Sequence, residues 1–279
     1  MLLAGVTFLG AETLPIEPPH DSGQSITPAF EGWFENPDGT FSILIGYYNR
    51  NLKQELDIPI GPDNHLDPGG PDQGQPTHFL PGRQWGLFTV TVPKDFGTKK
   101  LSWTIVANGK PMVVPFSLDP LWVISPLEDA TKNTPPFIGF GLTGPTVQGP
   151  RPMLVERTVA GGNRLPLAVW VADDAKVPPG ALSSRAKDTP VTVKWSKYRG
   201  PGDVTFSAAK PKVEESGWAA PPPAVFAGKA ETIATFGESG EYILRVVAND
   251  TSGDGGMGFQ CCWTNAFVKI FVDAGGKSR

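Results

Sequence analysis

The chain has 279 residues, enough for one large domain or two of ordinary size, with 39% hydrophobic residues to build a core and only 19% charged. Its net charge of −4, with no basic block, disfavours a nucleic-acid partner, because phosphate binding needs clustered Lys and Arg. The 33 glycines and 30 prolines disfavour long helices and suit short strands joined by turns.

In chain order, the opening "MLLAGVTFLGAETLP" carries an apolar stretch over residues 2–11 that ends in Leu9-Gly10-Ala11. It reads as the apolar region and cleavage end of a secretory signal, without the basic segment that normally precedes it; an ordinary first strand is the alternative. Residues 1–24 are thus taken as a truncated signal sequence and N-terminal arm, and the protein as exported to a periplasmic or extracellular space. No segment approaches the length of a transmembrane helix. "FSILIGYYN" (41–49) alternates, with Phe41, Ile43, Ile45 and Tyr47 on one face, and "GLFTVTV" (86–92) sets Phe88, Val90 and Val92 against Thr89 and Thr91. "KLSWTIVANGKPMVVPFSL" predicts two strands joined at Asn108-Gly109, a strong hairpin signal. Pro, Gly and Thr dominate residues 125–152, read as part of an inter-domain linker over 121–149 with one packed segment at Phe137–Leu142. Five further strands follow, at 164–171, 190–198, 229–236, 241–249 and 265–272. Long excursions interrupt the halves at 61–76 and 207–224.

The halves match one another in order. "FGTKKLSWTIVANG" (96–109) lies over "FGESGEYILRVVAND" (236–250), so that Ala107-Asn108 falls on Ala248-Asn249. The expected fold is all-β: two tandem sandwiches, residues 25–120 and 150–273, joined by the Pro/Gly-rich linker and followed by a tail at 274–279.

"KAETIATFGESGEYILRVVANDTSG", with Phe236, Gly240, Tyr242, Leu244, Val246 and Asp250, resembles the closing strands of PKD-type and other immunoglobulin-like domains. The resemblance covers the second half from Pro190 to Val272; the first half has Gly97 and Leu101 at the turn but no Tyr, and is immunoglobulin-like more loosely. The resemblance implies a β-sandwich whose Tyr242 covers one open end, its hydroxyl bonding nearby backbone. It implies binding, spacing or assembly and by itself says nothing about a ligand; with no catalytic signature in the sequence, no cofactor is expected.

The only cysteines, Cys261 and Cys262, sit in "FQCCWTN" (259–265). Comparison of the halves places them in an expanded final hairpin loop, where the first half has a tight Asn-Gly turn. Adjacent Cys is the wrong spacing for a zinc or thioredoxin-like site. Two readings stay open: free thiols packed as small hydrophobes, or a vicinal disulfide, against which stands the ~3.8 Å between adjacent Cα atoms of a trans peptide. With Phe259 and Trp263 the pair forms the candidate binding site, and Gly253, Gly255, Gly256 and Gly258 let the loop close over it.

Other candidates are weaker. Asp63, Asn64, Asp67 and Asp72 place oxygens as calcium loops do, and Asp250 with Asp254 makes a smaller such pair, but neither has the full spacing and turn chemistry accounts for both. His65 and His78, with Asp67 or Asp72, would be needed for a hydrolase; no nucleophile or metal-protease motif accompanies them. Trp103 and Trp195 fall inside alternating strands as core; Trp85 and Trp218 follow loops and would form a sugar-stacking platform. The expected function is therefore a non-catalytic binding or structural module that meets a protein partner in an envelope or extracellular assembly through loops at the sandwich ends, the long final loop of the second half first among them. A carbohydrate-binding accessory module and a hydrolase are the alternatives.

Overall fold

The computed structural model of the chain describes residues 18–151, 153–159, 162–176, 189–250 and 261–273. The signal-like stretch, Asp254, Phe259 with the loop glycines, and the tail at 274–279 lie outside the described residues. Apart from one 3-10 turn at Pro120–Trp122, every regular element among the described residues is a strand, so the protein is all-β.

The first half contains β1 (Ile26–Glu35), β2 (Phe41–Asn49), β3 (Leu56–Asp57), β4 (Asn64–Asp67), β5 (His78–Phe79), β6 (Gly82–Val92), β7 (Leu101–Ala107) and β8 (Lys110–Phe116). Two antiparallel sheets, β1-β2-β6 and β4-β7-β8, share one core, and β3 with β5 forms a small ladder. Ile43, Ile45 and Tyr47 from β2 and Phe88, Val90 and Val92 from β6 meet Leu66, Trp103 and Ile105 of the other sheet, as alternation along each strand requires. The turn from β7 to β8 has positive φ at both Asn108 (51°) and Gly109 (70°), the requirement of a two-residue hairpin whose twist matches its strands.

The second half contains β9 (Phe137–Gly139), β10 (Thr146–Gln148), β11 (Leu154–Val159), β12 (Arg164–Asp173), β13 (Thr192–Arg199), β14 (Val204–Phe206), β15 (Val213–Glu215), β16 (Phe226–Phe236), β17 (Gly240–Asn249) and β18 (Trp263–Val272). One sheet runs β10-β9-β12-β16, with β14 and β15 side by side on the far edge of β16; the other runs β11-β18-β17-β13. All pairs are antiparallel except β11 with β18. Val169, Val171, Trp195, Phe236, Leu244, Val246, Val268 and Ile270 fill the core between them. Tyr242 closes one end: its ring lies 4.9 Å from Phe236, and its hydroxyl donates to the Glu238 carbonyl and accepts from Gly202 N–H.

Part of the stretch read as linker belongs to this second half. β9 and β10 pair with each other and β9 pairs with β12. Each strand is three residues long and the pair is interrupted by Gly141, Gly144 and Pro145, so neither shows enough alternation to be read as a strand. β1 is missed for a related reason: Pro28 and Gly32 break its pattern, and its pairing with β2 shifts register between Phe30 and Gly32.

Candidate functional site

The β17–β18 hairpin buries apolar residues on both faces, and the two faces have different destinations. Leu244, Val246, Ala248, Ala266, Val268 and Ile270 point into the second half's own core. The alternate residues point at the first half: Phe267 and Ile243 join its core, and Val247 and Trp263 pack with Phe34, Leu44 and Ile124. Trp263 therefore sits in the seam between the halves, 2% exposed.

The seam is shaped around a glycine. A Cβ on Gly86 would lie 2.1 Å from Trp263 Cζ2, and Gly86 has φ +48°. Trp263 Nε1 donates to the Gly86 carbonyl at 3.3 Å, and Asn265 Nδ2 donates to the same oxygen. On the N-terminal side of the same glycine, Gly86 N–H donates to Glu31 at 2.6 Å, and Arg83 pairs with Glu31 at 2.7 Å. Burial pushes the Glu31 carboxyl above its ordinary range, against the pull of Arg83 and the Gly86 N–H. Arg245 reaches from β17 to Asn265 Oδ1 and to the Trp85 carbonyl. Every polar group named here thus has a partner across or along the seam, as buried polar groups must.

The excursion at 61–76 forms a second clasp. The Tyr198 hydroxyl donates to the Gly74 carbonyl, and its ring lies 4.9 Å from Phe267. Arg199 grips Asp72 through two N–H groups at 2.9 and 2.8 Å and donates to the Gln75 carbonyl, holding the Asp72 carboxyl below the usual range. Asn64 uses its amide on the Ile58 and Pro76 carbonyls and its oxygen on Trp103. The Asn64 and Asp72 oxygens that the calcium-loop reading needs are engaged in holding the fold.

Cys261 and Cys262 form a vicinal disulfide with a cis peptide between them, Cα atoms 3.1 Å apart, so the free-thiol alternative is not what the structure adopts. Both residues are buried, at 2% and 0% exposure. With Trp263 also buried, the described part of the stretch is a joint inside the molecule, where the sequence reading placed a binding site in an expanded hairpin loop. The comparison of halves placed the stretch just before the last strand, but only the packing of one half on the other buries Trp263.

Beside the disulfide lies a polar cluster at one end of the second half's core. Both sulfurs lie against the Asn133 carbonyl oxygen, at 3.7 and 3.5 Å. The Asn133 amide donates to Asp250 Oδ2 at 2.7 Å, and Asp250 N–H donates to the Cys262 carbonyl. Asp173 approaches from the opposite sheet. Burial, and then the charge of Asp250, push its carboxyl up to about 8. Its neighbour Asp174 accepts from Thr134 and Lys176 and pairs with the Lys176 ammonium at 3.4 Å. Of this cluster the sequence reading singled out only Asp250; Asp173-Asp174 at the end of an apolar strand was the overlooked signal.

His78 is buried between Asp57 (3.0 Å) and Glu55 (3.2 Å), and Lys197 from the second half reaches the same Asp57 at 3.0 Å. His65 lines a shallow cavity of about 420 Å³ with Gly61, Pro62, Leu66, Asp67, Gly69 and Pro71, and His78 is not part of that lining. The structure does not bring the two histidines to one cavity. Trp218 is buried with its ring against Gly139, and the face of Trp85 carries the Arg83 guanidinium at 3.9 Å, so the two rings form no open pair.

No protein-family model and no curated protein matches the chain. Among solved structures, amebosin is 14% identical over 44% of this chain and 96% of its own, with a TM-score of 0.24. A protein of unknown function from Porphyromonas gingivalis W83 is 10% identical over 88% of this chain and 99% of its own, with a TM-score of 0.23. Dimeric latent PorU from Porphyromonas gingivalis is 12% identical over 89% of this chain and 24% of its own, with a TM-score of 0.27. Likeness at this level carries no argument about what the chain does.

Proposed function

We propose that the chain is a non-catalytic binding or structural module, exported and built from two tandem immunoglobulin-like sandwiches, that docks a protein partner in an envelope or extracellular assembly. The observation that carries this reading is the segment Leu121-Trp122-Val123, whose side chains stand 89%, 50% and 54% exposed. Consecutive exposed apolar residues of this size are unfavourable in water and are a mark of contact surfaces. The segment is also held in place. Asp119 caps the 3-10 turn by accepting from Leu121 N–H, Trp33 Nε1 donates to the Asp119 carbonyl, and the Trp122 ring rests 5.5 Å from Phe30. Such pre-ordering lowers the entropic cost of docking. The vicinal disulfide supports the export part of the reading, because disulfides persist in oxidising compartments.

The reading is tested with a photo-crosslinking residue placed at Leu121 in the cells that make the protein. A discrete protein adduct is expected, lost with Trp122→Ser and absent when the crosslinker stands at exposed Lys99. Adducts of equal yield at Leu121 and Lys99, or none at either, would reject docking through this segment.

A further inference from the structure

We propose that the end of the second sandwich binds a calcium ion between Asp173, Asp250 and the side-chain oxygen of Asn133. The placement follows from strand alternation. Val169 and Val171 face the second core, so Asp173, two residues on, faces inward at the end of β12. Val246 and Ala248 face the same core from the opposite sheet, and Asp250 continues that face just beyond β17. The two sheets thus deliver one carboxylate each to the same end, and Asn133 closes it from the preceding segment.

The chemistry there is incomplete without a cation. Asn133 is 0% and Asp173 is 1% exposed, yet neither Asn133 Oδ1 nor Asp173 Oδ1 accepts a hydrogen bond. Both belong to groups whose other atoms are used: the Asn133 nitrogen donates to Asp250, and the second Asp173 oxygen accepts from Ala175 N–H. Asp250 links the two, bonded to Asn133 and acting by its charge on Asp173. Buried acceptors left over in this way cost free energy, and neighbouring buried carboxylates cost more. Oxygens arranged around one calcium, at ~2.3–2.6 Å from the ion, are satisfied by its charge and need no donor.

Among the described residues no three His, Cys, Asp or Glu side chains gather as a metal site. The proposed set has two carboxylates and one amide oxygen, a mixture that suits calcium, which also accepts backbone carbonyls and water. It does not suit zinc, which takes nitrogen and sulfur. The disulfide packs against the main chain of Asn133 at its carbonyl, beside the amide.

The test uses the full chain treated with EGTA and dialysed free of it. Calcium titration by calorimetry is expected to show one site with a Kd of roughly 10⁻⁴–10⁻³ M, the range of extracellular modules. The melting temperature should rise saturably with calcium and clearly less with magnesium. Asp173→Asn should weaken binding by roughly tenfold or more while melting, without calcium, no lower than the wild type. Asp72→Asn, which alters the other aspartate-rich loop, should leave the isotherm unchanged. No heat and no thermal shift up to millimolar calcium would overturn the proposal. So would an equal response to magnesium, an unaltered isotherm in Asp173→Asn, or loss of binding in Asp72→Asn alone.

Discussion

Gly86 and Trp263 are separated by most of the chain, yet one side chain on Gly86 would occupy the space of the indole. Gly86→Ala places a methyl 2.1 Å from Trp263 Cζ2 and forces Ala into φ +48°. The backbone part costs ~1–2 kcal/mol, as for any L-residue in the left-handed region. The overpacking adds ~1–3 kcal/mol. Trp263→Ala alone removes a fully buried ring and is expected to cost ~3–5 kcal/mol. In the double variant the methyl enters space the indole has left, so the overpacking disappears and only the backbone part adds to the Trp263 cost. The two changes should therefore fall short of additivity by ~1–3 kcal/mol, well outside the ~0.5 kcal/mol seen for independent sites. Urea unfolding followed by far-ultraviolet circular dichroism measures all four corners of the cycle, with m-values compared to confirm one common transition. Additivity within that ~0.5 kcal/mol would show that Trp263 does not pack on Gly86, and the seam between the halves would have to be redrawn.

Other expectations follow from single groups. Asp173 holds its proton up to about pH 8 when folded, against an ordinary value of 3.8, so between those values the folded state binds a proton that the unfolded state lacks. In calcium-free buffer, stability should then fall as pH rises from 5 to 8, and Asp173→Asn should flatten that slope in thermal melts; an unchanged slope would refute the assignment. Asp72 shows the opposite sign: its lowered carboxyl contributes stability above the unfolded value and loses it as pH falls. Because Asp72 is half exposed, Arg199→Met should cost only ~1 kcal/mol at pH 7 beyond lost packing, and progressively less from the pair as pH falls through the acid range, as read by urea midpoints. Tyr242→Phe deletes a hydroxyl that bonds Gly202 and Glu238, and should cost ~1–2 kcal/mol in the same assay without altering the m-value. Alkylation under denaturant, read by mass spectrometry, should label Cys261 and Cys262 only after reduction; labelling without reductant would remove the disulfide.

How much was legible in the sequence depended on how many faces of a strand are buried by its own half. β6, β7 and the Asn108-Gly109 hairpin declare themselves, because one face alternates against the first core and the turn residues admit only one geometry. Tyr242 was readable too, since a glycine-flanked tyrosine after a strand turn has a local task that needs no distant partner. The resemblance of the halves located Cys261–Trp263 between the last two strands, but read the stretch as an open loop.

Only the tertiary structure decided what that stretch does. Trp263, Asn265 and Phe267 lie on the face of β18 turned away from its own core, and nothing in an apolar run tells a strand buried on both sides from one with an exposed ligand surface. The same holds for Leu44 on β2 and Val247 on β17, which meet in the seam. The Asp173–Asn133–Asp250 cluster is likewise invisible in one dimension, because its members come from two facing sheets and a connecting segment. Local composition and alternation determined strands, turns and fold class, which depend on near neighbours. The seam and the polar end depend on long-range packing of one surface on another, and that register is written in shape and hydrogen-bond partners that no short stretch carries.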